Sequence, residues 1–176
     1  MTANFDGVRF RQVLGHLPTG VVIVTGMDAQ AQPVGVTIGS FVSVSLDPPY
    51  VGFFIGKSRS WPDISSGTLF CANVLSDAQT ELCWRFAKDP VEGAANRFDG
   101  LEWQQSSNGM PILSGILASI DCTVESVTPT GDHRFVLAQV TSLNVTEVTH
   151  DAMIFYKGKV GGVAIDGNSN GYVFRF

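Results

Sequence analysis

The chain has 176 residues, and its 11 basic and 16 acidic side chains give a formal net charge of −5. Hydrophobic residues make up 44% of the chain and charged residues only 15%, which excludes a disordered protein. Because the net charge is negative, the overall electrostatic field does not favour binding to nucleic acid or to an anionic membrane. This length predicts a single domain over residues 1–176, and the low charge predicts apolar surface that a partner or ligand covers.

In chain order, hydrophobic periodicity first predicts a short helix. Apolar residues recur at helical spacing from Phe10 to Leu17, and Pro18 ends the pattern. β-branched and alternating runs then predict strands over residues 21–25, 33–38, 40–46 and 50–55. The last two strands are expected to form a hairpin around Asp47-Pro48-Pro49. A second short helix is expected from about Ser60 to Gly67.

The second half of the chain continues this pattern. A strand over 68–74 precedes a capping box, Ser76 with Gln79, and a helix that runs to about Lys88. Residues 91–111 are rich in Gly, Asn and Ser and are expected to form an irregular surface excursion or lid. Two long strands, 116–127 and 133–148, flank a turn at 129–132. Six or more strands joined mostly by hairpins predict a mainly β protein, an antiparallel closed or split β-barrel with a few peripheral helices.

The three cysteines, Cys71, Cys83 and Cys122, are widely spaced among apolar neighbours. This pattern indicates buried thiols in a reducing compartment. The sequence has no CxxC or HExxH motif, so we predict no metal site. The N-terminal sequence lacks the apolar core of a signal peptide, and no apolar stretch approaches 18 residues, so we expect a cytoplasmic protein that does not contact membrane.

Motifs that bind nucleotides or activate nucleophiles are absent from the sequence. It has no GxGxxG, no GxxxxGK[ST] and no GxSxG pattern. Two short hydroxyl-rich segments remain, at residues 37–40 between two predicted strands and at residues 57–60 before a predicted helix. The second segment combines two hydroxyls, two cations and a helix N-terminus, which suits a phosphate. The same residues can instead form an ordinary helix cap with solvated Lys57 and Arg59.

A wider set of motifs resembles a known family. The sequence contains SFVSVSLDPP from residue 40, SRSW from residue 58, ANVLSDAQ from residue 72 and GDH from residue 131. Together these resemble the short-chain flavin reductases, which are the reductase components of two-component flavin-dependent monooxygenases. The similarity is greatest to components that serve aromatic and steroid-ring hydroxylases.

The resemblance implies a fold, an activity and partners. The fold would be an FMN-binding, Greek-key-like split barrel that forms a homodimer. The activity would be NADH- or NADPH-dependent reduction of FMN or FAD. Reduced flavin would then diffuse to a separate oxygenase component. Hydride would pass directly between the two cofactors, so no catalytic side chain is expected.

The resemblance also implies specific binding residues. The flavin-binding residues are Thr37, Ile38, Gly39 and Ser40 at the polar edge of the isoalloxazine, Lys57, Ser58, Arg59, Ser60 and Trp61 around the phosphate, and Asn73, Val74 and Arg85 farther along. His133 would lie near the nicotinamide. Relatives often carry Asn or Ala at the position of Gly39, so close backbone approach is expected to replace a side-chain contact there.

Several of these assignments have a structural alternative. Gly39 can be a turn glycine, and Trp61 can fill the barrel as a core residue. Asn73 needs a hydrogen-bond partner, which is either flavin or a neighbouring loop. Arg85 can lie on a solvated helix face. His133 can be a turn histidine whose hydrogen-bond partner is its own backbone.

Two other functions are compatible with the same fold. The first is a non-enzymatic flavin-binding or carrier barrel, and the second is a split-barrel oxidase that acts directly on a small substrate. No distinct cluster of substrate-binding charges favours the oxidase. The sequence does not indicate a role for the C-terminal tail, residues 160–176.

Overall fold

The computed structural model describes residues 6–56, 64–65, 67–88 and 96–163. In these ranges the helices are α1 (Gly7–Leu14), a 3₁₀ helix (Asp77–Gln79) and α2 (Thr80–Ala87). The strands are β1 (Thr19–Gly20), β2 (Val22–Met27), β3 (Pro33–Ile38), β4 (Val42–Leu46), β5 (Pro49–Ile55), β6 (Leu69–Val74), β7 (Trp103–Gln105), β8 (Pro111–Leu113), β9 (Ala118–Thr130), β10 (His133–Val145), β11 (Met153–Tyr156) and β12 (Lys159–Gly162). Most of the helix predicted from Ser60 to Gly67, and the tail beyond residue 163, lie outside the described residues.

Seven strands form one antiparallel sheet in the order β3-β2-β6-β9-β10-β5-β4. One cluster of buried side chains joins Ile38 of β3 at one end of the sheet with Phe53 of β5 near the other end. Phe70, Val124 and Val136 contribute to the same cluster from the strands between them. Because residues from both ends share one core, the sheet curls around that core as a barrel. The predicted mainly β, antiparallel barrel is confirmed.

A second buried cluster covers the outer face of β2 and β6. Ile23 packs there with Leu75, Phe86 of α2, Leu113 of β8 and Met153 of β11. β2 and β6 are therefore buried on both faces, which explains why their sequences do not alternate and are apolar apart from Thr25, Gly26 and Asn73. This outer cluster also fixes α2 against the barrel.

The local predictions are confirmed at two turns. The Gln79 side chain accepts a hydrogen bond from the Ser76 backbone N–H at 3.0 Å, as the capping box requires. The long hairpin of β9 and β10 turns at Gly131, whose φ of 63° favours glycine.

The structure differs from the prediction where elements are very short. The described part of the segment expected to be irregular contains β7, which pairs with β8. A three-stranded sheet, β1-β11-β12, was also not predicted. Strands of two to four residues contain too few alternations for the periodicity to be detected.

Helix α1 begins and ends earlier than predicted, and it packs loosely. The Asp6 carboxylate accepts a hydrogen bond from the Val8 N–H at 2.9 Å, which starts the helix, and the helix ends at Leu14 rather than Leu17. None of its residues is buried in the described chain. Across the described ranges, no helix combines the length and the apolar character that crossing a membrane requires.

Candidate functional site

A cavity of about 430 Å³ opens beside the ends of β3 and β5, next to the C-terminal end of α2. We call it the β3–β5 cavity. Its described lining includes all four residues predicted for the isoalloxazine edge together with His133, and these are Thr37, Ile38, Gly39, Ser40 and His133. Distant parts of the sequence that were predicted to bind two different cofactors therefore meet at one site.

Hydroxyl groups fix the turn that follows β3. Thr37 Oγ1 donates to the Cys83 carbonyl of α2 at 2.8 Å. Ser40 Oγ accepts from the Phe54 N–H at 2.9 Å and lies 3.2 Å from the Phe54 carbonyl. A Cβ added to Gly39 would lie 3.1 Å from Thr19 Oγ1, which is tight unless the threonine moves. The hydrogen bonds of Thr37 and Ser40 thus hold the turn in place. Because Gly39 has no side chain, the turn can pass close to Thr19 at the cavity wall.

His133 lies at the start of β10 and lines the same cavity as this turn. Its Nδ1 lies 2.7 Å from Asp132 Oδ1. Because a carboxylate only accepts, Nδ1 carries the proton and Nε2 is left for other partners. The hydrogen bond to His133 is the main cause that holds the pKa of Asp132 below its ordinary value. The ring packs against Gly56, where an added Cβ would lie 3.5 Å from Nε2. The partner of His133 is thus a side chain, not its own backbone.

The structure places a different arginine at the cavity from the one predicted. Arg85 Nη2 donates to the Asp99 carbonyl at 2.6 Å, and Arg85 is absent from the described cavity lining. Arg97 lines the cavity instead, and its Nη1 donates to the carbonyls of Gly35 and Phe86 at 3.2 Å each. Lys88 is a second cationic residue of the same lining. Sequence reasoning missed Arg97 because it lies in a stretch without periodicity.

Asn73 and Val74 were also expected at the flavin, but they do not line the β3–β5 cavity in the described structure. The Asn73 side chain is fully buried, and its Oδ1 accepts from the Leu113 N–H at 2.8 Å. Its amide Nδ2 contacts acceptors on β2, β6 and β8, the nearest being Thr25 Oγ1 at 3.0 Å. Both residues lie on β6, whose backbone pairs with β2 on one side and β9 on the other. The partners of Asn73 in the described structure are therefore neighbouring strands rather than a loop.

The predicted phosphate segment, residues 57–61, lies outside the described residues. Gly56, which precedes it, lines the β3–β5 cavity. The predictions for Lys57, Ser58, Arg59, Ser60 and Trp61 thus stay predictions.

The cysteines are buried and take no part in the cavity lining. Burial raises the pKa of all three thiols, to about 12 for Cys122. A nearby carboxylate, Asp121, raises the pKa of Cys71 and Cys122 further. Within the described ranges, no group of His, Cys, Asp and Glu is arranged to hold a metal ion.

The chemistry of the β3–β5 cavity suits a flat, anionic ligand. Ile38, Phe54 and Phe86 give it apolar walls, and Lys88 and Arg97 supply positive charge. Its described lining includes no carboxylate. Apolar walls combined with placed polar groups are typical of cofactor sites, and cations favour a phosphate. The residues present therefore fit a flavin mononucleotide.

Comparisons with known proteins agree with this geometry. Residues 14–164 match the flavin reductase like domain family. The chain is 46% identical over 156 residues to a flavin reductase of Pseudomonas putida, covering 88% of this chain and 89% of that protein. It is 43% identical over 164 residues to the reductase subunit HsaB of a flavin-dependent monooxygenase from Rhodococcus jostii, covering 92% of this chain and 80% of the relative.

Solved structures show the same fold. Nitrilotriacetate monooxygenase component B from Mycobacterium thermoresistibile superposes with a TM-score of 0.83 at 36% identity, over 94% of this chain and 91% of the other. The styrene monooxygenase flavin reductase of Pseudomonas putida S12 gives a TM-score of 0.76 at 25% identity, over 89% and 97%. The chain therefore belongs to the flavin reductase like family and is a flavin reductase.

Proposed function

We propose that this reductase oxidises NADH or NADPH, reduces FMN or FAD, and supplies the reduced flavin to a separate monooxygenase component. The observation that carries the proposal is the β3–β5 cavity, which brings the turn after β3 and His133 to one concave site. The named reductase subunits among its relatives support a separate oxygenase partner. The resemblance of its sequence motifs to reductase components of aromatic and steroid-ring hydroxylases favours an oxygenase that acts on such a ring.

In this proposal the chain's own residues bind and orient. The turn at Thr37–Ser40 holds the polar edge of the flavin ring, and Lys88 and Arg97 attract its phosphate together with the segment at 57–60. His133, held by Asp132 through Nδ1, presents Nε2 to the nicotinamide. The apolar walls exclude water from the space between the rings. When both cofactors are bound, hydride transfer between them needs no acid or base from the protein.

Steady-state turnover tests this function. Catalytic protein with excess FMN and NADH should oxidise many equivalents of NADH, measured at 340 nm. A carrier barrel would bind FMN stoichiometrically without NADH oxidation, and that result would overturn the proposal.

A matched pair of variants tests the site itself. Ala87 lines the β3–β5 cavity, whereas the exposed Ala78 does not. Ala87→Trp should occupy the cavity and lower both FMN affinity and NADH oxidation, while Ala78→Trp should leave both unchanged. Equal behaviour of the two variants would place the chemistry elsewhere.

We further propose that the chain forms a homodimer through β4. Val42, Val44 and Leu46 are 51%, 48% and 71% exposed, and β4 lies at the end of the seven-stranded sheet. A row of exposed apolar side chains on an edge strand favours burial against a second copy. Sedimentation should detect a dimer at micromolar concentration, and Val44→Lys should convert it to monomer. The control, Val145→Lys, alters an exposed valine at the end of β10. A monomeric parent protein would contradict the proposal.

A further inference from the structure

A buried carboxylate holds the β7–β8 hairpin against strand β9. β7 and β8 pair through residues 103–105 and 111–113, and the chain turns between them at residues 106–110. Asp121 of β9 is only 5% exposed. Its Oδ2 accepts from both the backbone N–H and the Oγ of Ser107 in this turn, at 3.1 and 2.5 Å. Asp121 therefore fixes the turn of the hairpin to the barrel.

The second oxygen of the Asp121 carboxylate has no comparable contact. Oδ1 is buried without a hydrogen-bond partner among the described residues. The Cys71 thiol on the paired strand interacts with the carboxylate, but a thiol is only a weak donor. A buried polar atom that is left unpaired lowers the free energy of unfolding, and an apolar residue would avoid that loss. The presence of Asp121 is therefore better explained by what it holds in place than by stability.

Aromatic rings connect this hairpin to the β3–β5 cavity. Trp103 of β7 contacts Phe98 edge to face, with ring centroids 6.2 Å apart, and Phe98 contacts Phe86 in the same way at 5.1 Å. Phe86 lines the cavity, and Phe98 directly follows Arg97 in the chain. Phe86 and Phe98 are both buried. Because buried side chains are closely packed, a displacement of β7 would reach the backbone that carries Arg97.

The position of Arg97 is sensitive to such a displacement. Its Nη1 donates to two carbonyls on different elements, that of Gly35 on β3 and that of Phe86 on α2. A Cβ added to Gly35 would lie 2.8 Å from the Phe86 ring, so β3 and α2 are closely packed here. Hydrogen bonds weaken steeply when their angle is distorted. The guanidinium therefore reaches both carbonyls only while its own backbone keeps its place.

We propose that Asp121 is a positioning residue for flavin binding. It fixes the β7–β8 hairpin through Ser107, and the hairpin fixes Arg97 at the β3–β5 cavity through Trp103 and Phe98. Because the group that it positions is a cation, loss of Asp121 should weaken binding of the flavin phosphate rather than of the ring. The inference rests on the proposed function, since it takes the flavin phosphate to lie near Arg97.

Three variants separate this contact from a general loss of stability. Asp121→Ala removes both hydrogen bonds to the turn, whereas Asp121→Asn keeps a carbonyl oxygen that can accept from Ser107. Ser107→Ala removes only the hydroxyl donor at an exposed position, so this variant should fold. The matched control is Val136→Ala, which weakens the inner core at a fully buried residue outside the hairpin and the cavity lining.

The measurement is the ratio of the riboflavin to the FMN dissociation constant, which isolates the phosphate. Fluorescence titrations are made at a temperature where all variants are folded. We expect a ratio of about 10 or more for the parent protein. Asp121→Ala should lower the ratio about 3- to 10-fold and Ser107→Ala about 2- to 5-fold, with riboflavin affinity nearly unchanged. Asp121→Asn should restore most of the ratio, and Val136→Ala should keep it although its Tm falls.

A double variant tests whether Asp121 acts through Arg97. In an Arg97→Gln background, Asp121→Ala should not lower the ratio further, because the group that it positions is already absent. Hydrogen–deuterium exchange gives a local readout of the same contact. Amides of residues 103–113 should exchange faster in Asp121→Ala than in the parent protein, and Val136→Ala should not show a change confined to this hairpin.

Three outcomes overturn the inference. They are a ratio that neither Asp121→Ala nor Ser107→Ala changes, an equal loss of riboflavin and FMN affinity, and independent effects of Asp121→Ala and Arg97→Gln that multiply in the double variant. Where Asp121→Ala does not fold, Ser107→Ala alone and combined with Arg97→Gln decides by the same ratios. Failure of the proposed function is distinct from these outcomes, because the parent protein would then bind FMN without oxidising NADH.

Discussion

Replacement of Asn73 by leucine distinguishes a structural role from a flavin contact at this position. The side chain is fully buried, and leucine has a similar volume but no polar atoms. The change leaves the buried Leu113 N–H without its side-chain acceptor and removes the amide donors that reach Thr25 and the carbonyls on β2 and β8. One orphaned buried N–H costs about 1–3 kcal/mol, and each lost hydrogen bond about 0.5–1.5 kcal/mol. We therefore expect the free energy of unfolding to fall by about 3 kcal/mol.

For a chain of this size that loss lowers Tm by about 6–12 °C. Thermal unfolding followed by circular dichroism measures the shift, and FMN affinity is measured at a temperature where both proteins are folded. The same replacement at the exposed Asn144 of β10 is the control, and it should change stability by less than about 0.5 kcal/mol. An unchanged Tm with FMN affinity reduced about 10-fold or more would refute this reasoning and place Asn73 at the flavin.

Three further predictions concern the site and the thiols. Arg97→Gln should weaken FMN binding about 10-fold or more through the lost phosphate interaction and change riboflavin binding little; an equal loss for both ligands in titrations would contradict the phosphate role. His133→Ala should raise KM for NAD(P)H or slow hydride transfer about 5- to 50-fold, with flavin affinity nearly unchanged; the reverse pattern in stopped-flow and fluorescence titrations would assign His133 to the flavin. Because burial raises the pKa of all three thiols, native protein at pH 8 should hardly react with a thiol reagent, whereas unfolded protein should expose three; rapid reaction of the native protein would contradict their burial.

Most of the barrel could be predicted because its strands are long enough to show their periodicity. β9 and β10 have 13 residues each, and the Gly131 turn between them uses a residue that its φ favours. The pairing of β7 with β8 and of β1 with β11 could not be predicted, since strands of two to four residues depend on tertiary contacts.

Part of the lining of the β3–β5 cavity could be predicted for a similar reason. The turn at Thr37–Ser40 and His133 lie at the ends of strands that the sequence predicts. Their motifs could therefore be recognised from the sequence. Arg97 was not found, because its position depends on carbonyls of Gly35 and Phe86 that are distant in sequence. Asn73 was ambiguous, because a buried asparagine on an apolar strand predicts a partner without identifying it.

The central claim is that the β3–β5 cavity brings nicotinamide and flavin together for direct hydride transfer. Anaerobic stopped-flow reduction of bound flavin tests it most directly, using NADH that carries deuterium at C4 on one face or the other. The account predicts that flavin absorbance bleaches more slowly with only one of the two deuterated forms, because a fixed site exposes one face to the flavin. Equal rates for both deuterated forms and unlabelled NADH, or no bleaching at all, would contradict it.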